Sequence, residues 1–314
     1  MNKINYVIAF LWNFVYAVIR KIVGRRRFRR YFYYGKRIKG MPFVEEYIYH
    51  HIVAGRPFLV ARFGDAELRT VKYTIEYNLG FRKVIPDYIK EKMQINAGFF
   101  PTDDESMYAF GNMMIESSKQ VDMFATWYNQ MEDYVIHHTA KSAELCIPEY
   151  IDPFRSDHPW TRALAGKKVL VVHPFAQSIQ KQYAIKEKLY DNKDMLPDFE
   201  LITYKAVQTQ AGAESEFSTW FEALDKMFND IKKLDFDIAI IGCGAYGFPL
   251  AARIKSLGKQ AIHLGGATQI LFGIKGARWD VRPEVNRLFN DYWIRPSENE
   301  RPKGAEKVEG GCYW

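Results

Sequence analysis

Two carboxylates one residue apart, Asp65 and Glu67, follow the apolar run that opens PFLVARFGDAEL at residues 57–68. Oxygen donors placed this way suit a divalent ion, and Mg2+ in particular binds through one or two carboxylates completed by substrate phosphates. Gly64, just before the pair, would let a diphosphate come close, and Arg62 would offset the charge of a leaving group. The same spacing also suits an ordinary helix start, with Asp65 as N-cap and Glu67 as a first-turn acid favoured by the helix dipole. Spacing alone leaves both readings open.

Gly242-Cys243-Gly244-Ala245-Tyr246-Gly247 has the GxGxxG pattern between an apolar run and a helical stretch. In a dinucleotide fold an acid follows about 20 residues on, at the end of the next strand. That strand is KQAIHLGG, which has no Asp or Glu. An NAD(P)-binding oxidoreductase is therefore the weaker reading. Gly242 and Gly244 keep the capacity to bring backbone N–H groups to a phosphate at a helix N-terminus; the alternative is a tight turn that needs glycine. Gly266 and Thr268 in GGATQ are candidates for a phosphate or a sugar hydroxyl. His173, at the end of VLVVHP, and Ser178, just inside the next helix, are candidates for donor or acceptor binding, with His173 also a candidate base. Tyr246 is a candidate for stacking on a base or sugar, and Trp279 and Trp314 for that or for packing. The adjacent pairs His50-His51 and His137-His138 fall on predicted helices, where neighbours do not face one side.

The elements that must position these residues alternate. Strands are predicted at PFLVARF, VDMFATWY, KKVLVVHP, FELITYKAV, FDIAIIGCG and KQAIHLGG. Helices are predicted over 40–56, 66–78, most of 87–119 with a break at NAGFFPTDD, 130–143, 176–190, 215–233, 247–257 and 267–274. Such alternation specifies an α/β fold: a Rossmann-like, mostly parallel sheet with helices on both faces. Ligands in such sheets collect beyond the carboxyl ends of the strands, which predicts that FGDAE, HPFAQS, GCGAYG and GGATQ share one edge. The last 20 residues lack periodicity and read as an extended surface segment.

The chain has 314 residues and a net charge of +7, and eight Lys and Arg with no acid lie within residues 1–30. The 36 other basic residues are balanced by 37 acids, which excludes a nucleic-acid-binding face spread over the body. Ile4 to Ile19 is nearly all apolar and is followed by RKIVGRRRFRR. It reads as an interfacial helix with a polybasic clamp for an anionic membrane surface, peripheral on the cytoplasmic face. This divides the chain into an anchor, 1–35, and a catalytic domain, 36–314. Cys146, Cys243 and Cys312 form no CxxC pair, so neither a zinc module nor a disulfide framework is indicated.

RFGDAE resembles the RFGDGE-type signature of the bacterial GT-D-fold glycosyltransferases, whose DXE motif binds the metal of a nucleotide sugar; Ala66 stands where glycine is common. The stretches PWTRALAGKKVLVVHPFAQSI, KAVQTQAG, DFDIAIIGCGAYGFPLAARIKSLGKQAIHLGGATQILFGIKGARW and EKVEGGCYW extend the resemblance over roughly residues 40–314. It implies a metal-dependent glycosyltransferase of surface polysaccharide or glycoconjugate assembly. The donor would be a nucleotide sugar, expected to be a UDP-sugar, with Mn2+ or Mg2+ held by Asp65 and Glu67. The acceptor would be a glycan or lipid-linked glycan. The competing classes are the oxidoreductase above and a non-catalytic membrane-associated scaffold of a glycan-assembly complex.

Overall fold

The computed structural model describes residues 1–24, 28–213 and 215–314; Arg25, Arg26 and Arg27 of the polybasic run lie outside them. Seven strands form one parallel sheet: β1 (Phe58–Ala61), β2 (Met123–Ala125), β3 (Glu144–Cys146), β4 (Lys168–His173), β5 (Glu200–Lys205), β6 (Ile238–Ile241) and β7 (Gln260–His263). Their spatial order is β3-β2-β1-β7-β6-β4-β5. The N-terminal half of the chain thus builds one wing and the C-terminal half the other, and they meet where β1 pairs with β7. The predicted parallel α/β architecture is the one observed.

Alternating side chains explain why these short runs become central strands. Phe58 and Val60 join one buried cluster, and Leu59 and Ala61 the other. The first cluster includes Val44, Ile48 and Ile52 of α2 (Met41–Ala54), the second Leu68, Val71 and Ile75 of α3 (Asp65–Asn78). A strand covered on both faces must be apolar throughout, as in other parallel sheets.

Departures from the predicted elements have local causes. β3 was not anticipated, because three residues, Glu144–Cys146, at the sheet edge carry little pattern. By contrast, the break expected at NAGFFPTDD is observed: 87–119 divides into α4 (Asp87–Ile95) and α5 (Asp104–Ser118), the latter started by Asp103, whose carboxylate accepts from the Ser106 N–H at 2.9 Å. Several helices are shorter than predicted, among them α6 (Glu132–Thr139), α7 (Ala176–Tyr183) and α8 (Trp220–Ile231), and the helix expected over 267–274 ends at Leu271. The C-terminal segment is folded rather than extended. It returns to residues 277–278 through Ala277 N–H to Trp314 O at 3.1 Å and Arg278 N–H to Cys312 O at 2.9 Å.

The N-terminal helix α1 (Lys3–Val23) is long and apolar enough to cross a membrane by length and composition. It also lies against the domain along one narrow stripe, with Tyr6, Ala9 and Asn13 buried. The Tyr6 hydroxyl donates to Glu76 Oε1 at 2.7 Å. Asn13 donates to Asp133 Oδ1 at 2.9 Å and accepts from the Met131 N–H at 2.9 Å. The anchor expected as a separate unit is therefore fastened to the domain by buried polar contacts. Removing the Asn13 amide leaves the Met131 N–H without its partner and takes one of two donors from Asp133 Oδ1, which keeps the Tyr134 N–H, at about 1–3 kcal/mol for a lost buried partner. Asn13→Ala is accordingly expected to lower stability by about that amount in urea denaturation; an unchanged midpoint would show that α1 does not dock.

Candidate functional site

Strand register brings distant loops to one level. Val60 pairs with Ile262, Ile262 with Ile240, and Ile240 with Val171. The loops after β1, β7, β6 and β4 thus leave the sheet side by side. A cleft of about 720 Å3 opens there, lined among others by Arg62 to Glu67 after β1, Gly244 after β6, and Gly265 and Gly266 after β7. A smaller chamber of about 40 Å3, lined by His173, Gly242 and Trp314, adjoins it and shares Gly244, Gly266 and Tyr313.

Gly64 is the N-cap of α3, with no side chain capping the helix, so Asp65 is the first helical residue rather than its cap. Asp65 is exposed and accepts from Arg69 Nε at 2.9 Å. The Glu67 side chain curls back over the helix start: a Cβ on Gly64 would lie 2.0 Å from Glu67 Oε2. The carboxylate thus occupies the space that a side chain at position 64 would enter. Burial pushes Glu67 up to about 6, against the pull of its own backbone N–H and with a further push from Asp65. Among the described residues no group of three His, Cys, Asp or Glu could hold a metal ion. An ion held here would have the two carboxylates as protein ligands and the oxygens of a bound phosphate to complete its shell, the pattern usual for Mg2+. The donor set fits that use.

The rest of the cleft is basic. Arg62 donates from Nη2 to the Leu264 carbonyl and lies over the Trp127 ring at 5.5 Å. Burial pulls its pKa down, and among the described residues no carboxylate pairs with it within 4.0 Å. Arg69 is paired with Asp65 and Arg278 with Glu309. With Arg20 and Lys92, five cations line a cleft that holds three acids, Asp65, Glu67 and Glu309. A cleft of one dominant sign concentrates oppositely charged ligands.

The glycines of GxGxxG prove to serve different ends. A Cβ on Gly242 would meet Gly265 O at 2.5 Å, Thr268 Oγ1 at 2.7 Å and His173 Cδ2 at 2.9 Å. A Cβ on Gly247 would meet His263 Nε2 at 2.6 Å. Those two let elements pack. Gly244, at φ +59°, lines the cleft. Gly266 also lines it, beside Tyr313.

Other candidates are used by the fold. Ser178 is fully buried; its hydroxyl donates to Glu300, whose other oxygen accepts from the N–H groups of Gln177 and Ser178 at 2.9 and 3.2 Å. The chain's own carboxylate thus occupies the start of α7. Tyr246 is 2% exposed, stacked on Trp220 with centroids 4.8 Å apart, and its hydroxyl lies 3.0 Å from Thr209 Oγ1. Thr268 is buried beneath Gly242. His173 faces the small chamber, its Nδ1 accepts from the Phe175 N–H at 3.0 Å, and burial pushes it down to about 3. A histidine held that far down is neutral and a weak base at pH 7.

Among the cleft residues not singled out from sequence are Lys92 in the last turn of α4, Trp127 after β2, His263 at the end of β7, and Arg278. Trp127 donates from Nε1 to Phe63 O at 3.1 Å and remains 37% exposed. His263 is buried and neutral, pushed down to about 3 by burial and then by the charge of Arg62. Only His263 had a readable signal, as the last residue of a predicted strand before two glycines.

No family model matches the chain, and no curated protein matches it. A solved structure described as the selenomethionine-substituted form of domain of unknown function 1792 aligns over 71% of this chain and 82% of its own, with 11% identity and a TM-score of 0.34.

Proposed function

We propose that this chain is a metal-dependent glycosyltransferase that moves a sugar from a nucleotide sugar, a UDP-sugar, to a glycan or lipid-linked glycan acceptor. The observation that carries the reading is the convergence of Asp65 and Glu67 with Arg62 in one cleft at the carboxyl edge of a parallel sheet. Arg62 and Lys92 bind the donor's diphosphate, Arg62 as a planar fork fixed by Leu264 and Trp127. Asp65 and Glu67 hold Mn2+ or Mg2+. The bound ion supplies Lewis-acid stabilisation of the charge that develops on the departing diphosphate. Gly244 gives the ligand close access to backbone, and the exposed face of Trp127 offers a stacking surface for a base or sugar ring. The reading includes a peripheral place on the cytoplasmic face of a bacterial membrane, with α1 as the attachment.

Ligand-induced thermal stabilisation tests this directly. UDP with Mn2+ is expected to raise the melting temperature, by about 2.7 kcal/mol of stabilisation at 100 times the dissociation constant. Asp65→Asn and Glu67→Gln should melt like the parent without ligand and gain little with it. An equal gain in both variants would return the pair to helix initiation, and a gain with NAD(H) in place of UDP would favour an oxidoreductase.

A pH dependence follows from Glu67. A carboxyl must be deprotonated to ligate a metal, and burial sets this one near 6. It is charged above that pH and neutral below it. Apparent Mn2+ affinity in the presence of UDP is therefore expected to hold above pH 7 and to fall about tenfold per unit well below 6. Isothermal titration across pH 5–8 reads this directly. A flat profile would mean that Glu67 is not a ligand.

A further inference from the structure

We infer that α1 lies in the plane of an anionic bilayer, apolar face inward, and that its docked face builds part of the cleft wall through Arg20, a positioning residue. The inference rests on the membrane placement proposed above and adds the orientation of the helix and its tie to the site.

Three polar contacts hold α1 at intervals of seven residues, about two turns each. They are Tyr6 to Glu76, Asn13 to Asp133, and Arg20 to the backbone of residues 127 and 128. One stripe of the helix therefore faces the domain along nearly its whole length. The opposite stripe carries Ile4, Leu11, Val15, Val18 and Ile22, each at least 42% exposed. Lys3 and Lys21, eighteen residues apart and so about five turns, fall on one flank of that stripe, both exposed. Residues 1–30 hold no acid, and although Arg20 and Arg30 are engaged by the domain, Lys3, Lys21 and Arg29 stay exposed to complement an anionic surface. A spanning orientation would pull Asn13 and Arg20 off their partners and place them in hydrocarbon, which is costly. An in-plane orientation keeps every contact and buries the outer stripe.

The same docking reaches the site. Arg20 donates to Tyr128 O at 2.8 Å and to Trp127 O at 3.4 Å. Tyr128 sits at φ +59°, where a residue with a side chain is disfavoured unless neighbours hold it. Trp127 in turn donates to Phe63 O and lies under Arg62. Arg20 thereby fixes the turn that presents Trp127 to the cleft.

The test uses the full chain with vesicles of phosphatidylglycerol and phosphatidylcholine. The parent is expected to float with mixed vesicles and to stay in solution with phosphatidylcholine alone. The double variant Leu11→Asp, Val18→Asp should melt like the parent and lose at least tenfold in vesicle affinity. Arg20→Met should still float, while amide exchange across residues 126–131 speeds up about tenfold and UDP–Mn2+ affinity falls several-fold; Arg20→Lys should recover part of both. A parent that stays in solution, or a double variant that floats equally well, overturns the membrane surface. A double variant that changes a dimer into a monomer assigns the face to a second copy and also overturns it. Parent-like exchange and UDP affinity in Arg20→Met overturn the tie to the cleft. Failure of UDP to bind the parent would count against the transferase reading alone, since flotation and exchange do not depend on it.

Discussion

The guanidinium of Arg62 donates to the carbonyl of Leu264, and the two halves of the site are joined at that hydrogen bond. Arg62 leaves β1 and Leu264 leaves β7, neighbours in the sheet that lie about two hundred residues apart in the chain. The contact needs Gly265 without a side chain, because a Cβ there would stand 2.7 Å from Nη2, and Gly265 itself sits at φ +61°. Burial first, and then the charge of Arg62, keep His263 uncharged beside it. Burial works against the charge on Arg62, yet a guanidinium remains protonated at physiological pH. A half-buried cation bonded to a carbonyl and lying over an indole retains attraction for an anion. That residual attraction, next to the two carboxylates, is what the diphosphate site proposed above would draw on.

The helix that would meet a membrane is subject to a second constraint. Glu76 accepts from Tyr6 and lies between Lys72 at 3.4 Å and Arg82 at 2.8 Å, while Asp133 takes both Asn13 and Arg30. Both carboxylates are buried, and each depends on N-terminal residues for part of its hydrogen bonding. Burying a charge is tolerable only while its partners are present. A division after residue 35, natural from charge and hydropathy, therefore cuts through contacts that satisfy Glu76 and Asp133. The sheet could fold without α1, but Glu76 and Asp133 would then need water or new partners.

Much of this architecture was legible because a parallel sheet buried on both faces needs short apolar runs, and IAII or VLVV can hardly be anything else. The edge strand β3 escaped because three residues with one neighbour need no such run. Site residues divide in the same way. Asp65, Glu67 and Gly244 are adjacent in sequence to the strand ends that carry them, so topology predicts their meeting. Lys92, Trp127 and Arg278 reach the cleft from elements whose packing angle no local pattern encodes. Ser178 and Tyr246 sit where a ligand residue might be sought, and tertiary structure had already engaged them, with Glu300 and with Trp220.

The two glycine motifs show how one residue type answers two demands. Around Gly242 and Gly247 the demand is steric: a carbonyl, a hydroxyl or an imidazole occupies the place of a side chain. Such positions would be glycine in a protein with no ligand at all, so a GxGxxG spacing can arise from packing of neighbouring strand ends. Gly64 differs. Its backbone, at φ −78° and ψ 160°, is one that any residue adopts, so conformation does not call for glycine. What excludes a side chain is the Glu67 carboxylate, which curls into that space at a cost in solvation. A glutamate three residues past an N-cap that turns back over it has the placement of the acid in a capping box, so helix initiation accounts for the curl, and burial for the raised pKa. The same carboxylate and that of Asp65, two residues before it, are the pair that the metal site proposed above would use, so one local fold at the start of α3 would serve both demands.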